Sequence, residues 1–407
     1  MYAGIEIARS LDRARITLRM SQKVANACRE HVPAVVDGDQ AAIAKLGLLK
    51  GRPLRKALDE LKLAPPPPPK ASVAAKVRKC PETTRYQSAV GSMRFPTELL
   101  PRFELALSRC SAVAARPPPE AMHVIRSVLA EAYHHAVEKR EGITLGGGVC
   151  DWVPRPEAAP PGEMRVRGDG KDEGHGGSSH IFLHDGAPRQ TEAHGDATWS
   201  RLNDVPLDDL QRVLHEAPAD VYSMLITRSG GAVYTRTKRL GVVTGSSMEA
   251  ERVPTVKLSE AAEYSQAIET ALGNEVEPIL ITSDNSPNQR TAEGEASASR
   301  ARHMLRRYLM VQQRVANGVV VIRHVSDEEN PAGFLTKWVD AKKFDASIAY
   351  VTNSANAVDA TPKALIDQAH AAFLAALARV AKEDEHYALE HGTTARVMRL
   401  EQQSASY

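Results

Sequence analysis

From residue 191 to residue 345 the chain alternates short β-branched runs with longer amphipathic stretches, in the order β-β-β-α-β-α-β. That order points to an α/β (mixed α+β) fold, a mixed β-sheet flanked by helices. A strand over residues 191–199 carries Asp196. Val221–Arg228 and Ala232–Thr237 alternate like the arms of a hairpin, with Ser229-Gly230-Gly231 as the turn. A helix begins at about Glu249 and runs through Ala261, Tyr264, Ile268 and Leu272. Pro278–Ser283 reads as a buried strand that ends at Asp284. Ser299–Val315 is a basic amphipathic helix: Ala301, Met304, Leu305, Tyr308 and Val315 face inward, while Arg300, Arg302, Arg307 and Arg314 fan outward. Gly318–Val325 completes the pattern as a further strand.

The first half reads differently. Met1 to Leu63 offers a short strand around Ile5 and Ile7, a return strand around Ile16 and Leu18, and then helical segments in which Leu54, Leu58 and Leu61 share one face. Pro65–Pro69 cannot continue a helix and stiffens the chain into a spacer. A helical block follows from Tyr86 to about Lys139, where Met122, Ile125, Val128, Leu129 and Tyr133 form an apolar stripe. Residues 151–190, rich in Pro, Gly and charge, mark a linker or irregular insertion. His175, His180 and His184 fall there without a cysteine beside them, and solvated histidines suit that setting better than a metal site.

Composition narrows the function classes. With 43% hydrophobic and 25% charged residues the chain has globular balance. It contains no apolar run long enough to span a membrane and no signal-peptide core at its start. An intracellular protein, in cytoplasm or nucleus, is expected. The cysteines Cys28, Cys80, Cys110 and Cys150 form no C-x-x-C pair, which argues against a zinc ribbon or a disulfide framework. Net charge is +2, but residues 1–80 hold sixteen Lys and Arg against seven Asp and Glu, about +9, so the remainder carries about −7. A basic leading segment suits a polyanionic partner, and equally a solvated surface.

Asp196, Glu251 and Asp284 sit where strands or helices begin or end, and carboxylates at one edge of a sheet can converge. Two hard divalent cations held about 4 Å apart by such oxygens can activate a water and stabilise the leaving oxygen of a phosphodiester. Magnesium suits this arrangement because it binds carboxylate and phosphate oxygens while keeping several waters. Among 50 Asp and Glu, spacing alone leaves a solvated surface open as the alternative.

The local words around these acids add to that reading. Asp196 lies in H-G-D-A-T-W, Glu251 in S-S-M-E-A-E-R and Asp284 in I-T-S-D-N-S. A-R-H-M-L-R-R-Y-L-M then precedes V-V-V-I-R-H-V and E-N-P-A-G-F-L-T-K. Their order and spacing resemble the ribonuclease H domain of copia-type LTR-retrotransposon Pol polyproteins, which reads D-A-x-W, S-S-x-E-A-E-Y, D-N-x-x-A, K/R-H-I-x-x-R-Y and A-D-x-x-T-K. The stretch Ser229–Leu240 also resembles the family's S-G-x-x-V-x-W-x-S-K-x-Q. Upstream, Tyr86–Phe95 is similar to Y-x-S-L-V-G-S-L-x-Y, and His123–His135 to W-x-A-x-R-V-L-R-Y-L-x-x-T. Met1–Leu18 looks like the strand pair that follows the polymerase active site. The resemblance runs from residue 1 to about 350, with the Pro-rich stretches and residues 200–220 matching poorly.

The resemblance implies a division of the chain. Residues 1–64 correspond to post-active-site strands and a thumb-like region of reverse transcriptase, 65–85 to a Pro-rich linker and 86–150 to a helical connection region. Residues 151–190 form a Gly/Pro-rich linker, 191–345 a ribonuclease H-like domain and 346–407 a helical tail. It also implies a magnesium-dependent endonuclease that cuts RNA in RNA–DNA hybrids, with Asp196, Glu251 and Asp284 holding two Mg2+ ions. Glu249 is the competitor for the role of Glu251, and otherwise an exposed acid in the first helical turn, where it suits the helix dipole. Arg300, Arg302, His303, Arg306 and Arg307 would meet backbone phosphates, since a hybrid is read by shape, phosphate and 2′-hydroxyl contacts. The polymerase carboxylate pair would precede Met1, so no DNA synthesis is expected. The segment 362–388 is read as a packing or self-association helix.

Two departures bear on activity. The family's A-D-x-x-T-K becomes Ala332-Gly333-Phe334-Leu335-Thr336-Lys337, so Gly333 replaces a fourth carboxylate. The family's Tyr after E-A-E is Arg252 here, followed by Val253 and Pro254, and a proline there fits only if the helix starts just before it. A decayed nucleic-acid-binding or interaction protein is therefore the alternative reading.

Overall fold

The computed structural model describes residues 4–11, 15–62, 64, 81–146, 191–199, 220–228, 230–240, 244, 246–271, 278–292 and 305–359. The two expected N-terminal strands form: β1 (Glu6–Arg9) and β2 (Arg15–Arg19) pair antiparallel. A third strand, β3 (Ile143–Gly146), joins the other edge of β2 in antiparallel register. Four residues between a helix and a run of glycines carry too little periodicity to announce a strand. The Thr17 and Thr144 hydroxyls, directly opposite in that register, bond at 2.9 Å.

Among the described residues, seven α-helices accompany this sheet: α1 (Ser21–His31), α2 (Pro33–Asp37), α3 (Gln40–Leu46), α4 (Gly51–Glu60), α5 (Pro81–Arg94), α6 (Glu104–Ala112) and α7 (Ala121–Tyr133). Leu54 and Leu58 of α4 are buried and Leu61 packs at the margin. Ile125, Val128 and Leu129 of α7 are buried in the same cluster, with Met122 and Tyr133 partly so. Each fully buried side chain of this size stabilises by roughly 1.5–3 kcal/mol. The Tyr86 hydroxyl donates to the Cys110 carbonyl at 2.8 Å, which satisfies a polar atom buried in this core. Cys28 and Cys110 are buried free thiols, both pushed up to about 12 by burial.

The second sheet has five strands in the order β6-β5-β4-β7-β8. These are β4 (Thr191–Ala197), β5 (Val221–Arg228), β6 (Gly231–Arg239), β7 (Ile279–Ser283) and β8 (Val320–His324). β4, β5 and β6 run antiparallel, whereas β7 lies parallel to both β4 and β8. The sheet is mixed, as the order of elements implied. Alternation sorts its faces. Met224 and Ile226 join Ala193, Ile281 and Ile322 against the long helix α8 (Ser247–Ala271), while Leu225 points to the opposite cluster. Two further helices, α9 (Ser286–Ala292) and α10 (Leu305–Ala316), flank the sheet, and Val311 of α10 is buried in the α8 cluster.

Two local readings change. Helix α8 starts at Ser247, two residues before the expected Glu249, and carries Pro254 inside it rather than at its start. Pro254 has no N–H for the Ala250 carbonyl, yet its ring packs against the sheet: a Cβ on Gly195 would lie 3.0 Å from Pro254 Cβ and 3.1 Å from Leu258 Cδ1. Gly195 thus admits the helix closely beside Asp196. Arg314 does not fan outward. Its Nε and Nη2 donate to Glu263 Oε2 of α8 at 3.0 and 2.9 Å, because the two helices pack side by side.

The two sheets share a core. Ile143 of β3 and Met20, just past the end of β2, cluster with Leu225 and Ala232 of the second sheet, with Phe334 and Leu335 from the segment after β8, and with Ile348 and Val351 of α11 (Ala341–Thr352). Helix α11 crosses residue 345, where the sequence suggested a boundary. Its end is tied down: Asn353, in the left-handed conformation, donates from Nδ2 to the carbonyls of Thr144 and Gly146. Beneath β4 the Tyr350 hydroxyl donates to Glu192 Oε2 at 2.6 Å and meets His194 Nε2 at 3.0 Å, while His194 Nδ1 meets Thr282 Oγ1 at 2.7 Å. None of the described helices is long and apolar enough to cross a membrane.

Candidate active site

Parallel pairing sets the geometry at the carboxyl end of this sheet. β4 and β7 are in register at Glu192↔Leu280 and His194↔Thr282. Two residues further along both strands stand Asp196 and Asp284, which puts their carboxylates at the same end of neighbouring strands. Helix α8, seated against Gly195, delivers Glu251 from its second turn. One oxygen from each of Asp196, Glu251 and Asp284 lies within 4.8 Å of the others.

Each carboxylate is oriented by a different contact. Asp196 is 1% exposed; Thr336 Oγ1 donates to its Oδ2, and Lys337 Nζ stands 3.9 Å from its Oδ1. Glu251 is 6% exposed and its Oε1 accepts from the Ala197 N–H at 2.8 Å. Its Oε2 is buried with no hydrogen-bond partner. Asp284 is only partly buried and stands beside the Asp327 carboxylate.

Crowded, half-dry carboxylates hold protons tightly. Burial, with the charge of Asp284, pushes Asp196 up to about 7 despite Lys337 and Thr336. Burial and then the charges of Asp196 and Asp284 raise Glu251 well above the carboxylate range. Asp284 is raised by burial and by Asp327 against the pull of Lys337. For Asp327 burial works upward too, but Lys337 and Lys343 outweigh it and hold the group low.

This donor set fits a hard divalent cation. Magnesium takes oxygen ligands at about 2.1 Å, so two of them on opposite sides stand about 4.2 Å apart. The three oxygens here all lie within 4.8 Å of one another, so at most a small contraction is needed. An ion would also supply the partner that Glu251 Oε2 lacks, and would relieve the like-charge repulsion among the three acids.

The segment after β8 closes the site from the side. Asn330 Nδ2 donates to the Gly195 carbonyl at 2.8 Å, and Thr237 Oγ1 to the Leu335 carbonyl at 2.7 Å. Between them the turn Gly333–Leu335 brings Thr336 and Lys337 to Asp196. Gly333 itself faces cations: a Cβ there would lie 3.3 Å from Lys343 Nζ and 3.6 Å from Lys337 Cε. Glu249 is 5% exposed rather than solvated, because the first turn of α8 is covered, and it is not among the three converging acids.

Of the basic residues singled out, Arg306 is exposed and Arg307 partly buried on α10. Arg300, Arg302 and His303 lie outside the described residues, as do His175, His180, His184, Cys80, Cys150 and the segment 362–388. Asp327, Glu328 and Glu329 were the acids near enough in sequence to stand in for the carboxylate lost at Gly333, and the structure brings Asp327 to the site. The sequence reading passed over Lys337 as a group of its own. The only signal was the T-K pair beside Gly333. His324, at the end of β8, places Nε2 at 3.2 Å from the Asp284 carbonyl and was also missed.

No family model and no curated protein matches the chain. Among solved structures it is similar to the N-terminal RNase H domain of a Mycobacterium tuberculosis protein, studied as a fusion with maltose-binding protein. That match has 11% identity, covers 39% of this chain and 96% of the other, and has a TM-score of 0.26. It is also similar to LC11-RNase H1 in complex with an RNA/DNA hybrid, at 15% identity, 41% and 100% coverage and a TM-score of 0.25. Likeness at these scores carries no weight on function.

Proposed function

We propose that this chain is a ribonuclease H-type endonuclease, derived from a copia-type retrotransposon polyprotein, that cleaves the RNA strand of RNA–DNA hybrids with magnesium. The observation behind this reading is the convergence of Asp196, Glu251 and Asp284, with one oxygen from each within 4.8 Å of the others and Glu251 Oε2 left without a partner. Bound Mg2+ would activate a water and stabilise the leaving oxygen of the phosphodiester. The chain's own part is positional. Thr336 fixes one oxygen of Asp196, the Ala197 N–H fixes one oxygen of Glu251, and the less buried Asp284 borders the side open to a substrate. Arg306 and Arg307, with Arg300, Arg302 and His303, are the groups assigned to backbone phosphates.

Asp196→Asn removes a ligand charge at nearly constant volume. Cleavage of a hybrid labelled on its RNA strand is expected to fall by at least about a hundredfold, the scale on which lost electrostatic groups act. Equal cleavage by the variant, or cleavage that persists in excess chelator, rules out the site. One observation favours the second reading, a decayed binding or interaction protein: at Gly333 the position matching a family carboxylate faces Lys343 instead. That reading expects hybrid binding without any magnesium-dependent product.

A further inference from the structure

Two metal ions were expected from the sequence, yet the described structure already places one fixed cation among the acids. Lys337 Nζ bonds Asp327 Oδ1 at 2.7 Å and stands 3.9 Å from Asp196 Oδ1. Its charge also acts on Glu251 and on Asp284, so one ammonium addresses all three converging carboxylates. The geometry is held from both ends. Thr336, the residue before it, is anchored on Asp196, and Asp327 is fixed by a second lysine, Lys343, at 3.2 Å from its Oδ2.

We propose that Lys337, clamped between Asp327 and Asp196, occupies the seat of a second cation, so that the cluster takes one divalent ion and uses the lysine ammonium as its other positive charge. This deepens the metal-site reading above and rests on it.

The physical case has three parts. A pair of divalent ions about 4 Å apart needs acidic oxygens on both sides. Here Asp327, an additional carboxylate beside Asp284, has one oxygen on Lys337 and the other on Lys343. A second ion near Asp196 and Asp327 would have to expel the ammonium from between them, against direct like-charge repulsion. Gly333, where an acid could have recruited these lysines, has no side chain to do so. Lys337 remains 42% exposed at its side chain, so its head can meet a substrate phosphate while its charge stays in the site.

The test counts ions on the full chain with Mn2+ as the probe, by equilibrium dialysis together with electron paramagnetic resonance. Wild type is expected to bind one Mn2+ and give an uncoupled spectrum. Lys337→Met frees Oδ1 of Asp327 and is expected to bind two, with the exchange-coupled signal of a close pair. Adding Asp327→Asn to that variant should return the count to one. Lys337→Gln, which keeps polarity without the charge, is measured alongside so that the count does not hang on one fold, and circular dichroism checks each variant. Two ions in wild type, or one ion in both folded Lys337 variants, overturns the lysine assignment while leaving the metal site standing. No ion in any of the proteins overturns the metal site itself.

Discussion

Asp196 keeps its proton up to about pH 7 in the folded chain, whereas an unfolded aspartate gives it up near 4. A carboxylate raised in this way contributes stability that is fully present below about pH 4 and is lost as pH rises through about 7. The shift corresponds to a few kcal/mol at most, shared with Glu251 and Asp284. Without metal, the Tm is therefore expected to fall between about pH 5 and about pH 8. Asp196→Asn should flatten that fall and melt higher than wild type at the alkaline end, since it removes a buried charge from a like-charged cluster. Thermal melts across that pH range check this; a wild-type Tm that rises over the same interval sinks the assignment of these protons. The same substitution thus costs activity and restores stability, the opposite of a simple structural lesion.

At the scale of the element, α8 does two jobs. Its middle seals one face of the sheet and its start carries Glu251. Gly195 makes both compatible, because a methyl there would sit 3.0 Å from Pro254 Cβ and 3.1 Å from Leu258 Cδ1. Both neighbours are packed, so the helix would have to move. Gly195→Ala is expected to cost about 1–3 kcal/mol in urea denaturation, the usual range for overpacking. It should also carry Glu251 away from Asp196 and weaken Mn2+ binding. Unchanged stability and unchanged binding would mean that the helix does not press on β4 at this point. Segment 330–337 works in the same manner from the other side, stitched to β4 by Asn330 and Thr336.

At the scale of the whole molecule, the cluster of Met20, Ile143, Leu225, Phe334 and Val351 is built from both sheets and from α11. Parts that share one core unfold together. Phe334, 2% exposed and edge-on to Phe344 at 5.8 Å, lies in the middle of it. Phe334→Ala is expected to cost about 3–5 kcal/mol and to lower one calorimetric transition rather than split it. Two separate transitions in wild type would show that the halves are energetically independent.

Much of this fold was legible because periodicity is a local property. The β5 range Val221–Arg228, the β7 run ending before Asp284 and the buried faces of α4 and α7 all follow from which side chains alternate over a few residues. The candidate acids were legible for a related reason: each sits near the start or end of an element, and the ends of parallel strands are where residues are brought together. What the amino-acid order could not express is contact between distant segments. β3 exists only because β2 has an open edge to pair with. Pro254 is tolerated inside a helix only because Gly195 leaves it room. Arg314 is inward-bound only because Glu263 stands on the neighbouring helix. Read alone, the stretch around Gly333 suggested a missing charge. In the folded chain that place is filled by lysines from residues 337 and 343, drawn in by Asp327 and Asp196 across the sheet end. Local pattern sets which elements form; the long-range field of buried charges decides which cation a carboxylate cluster meets.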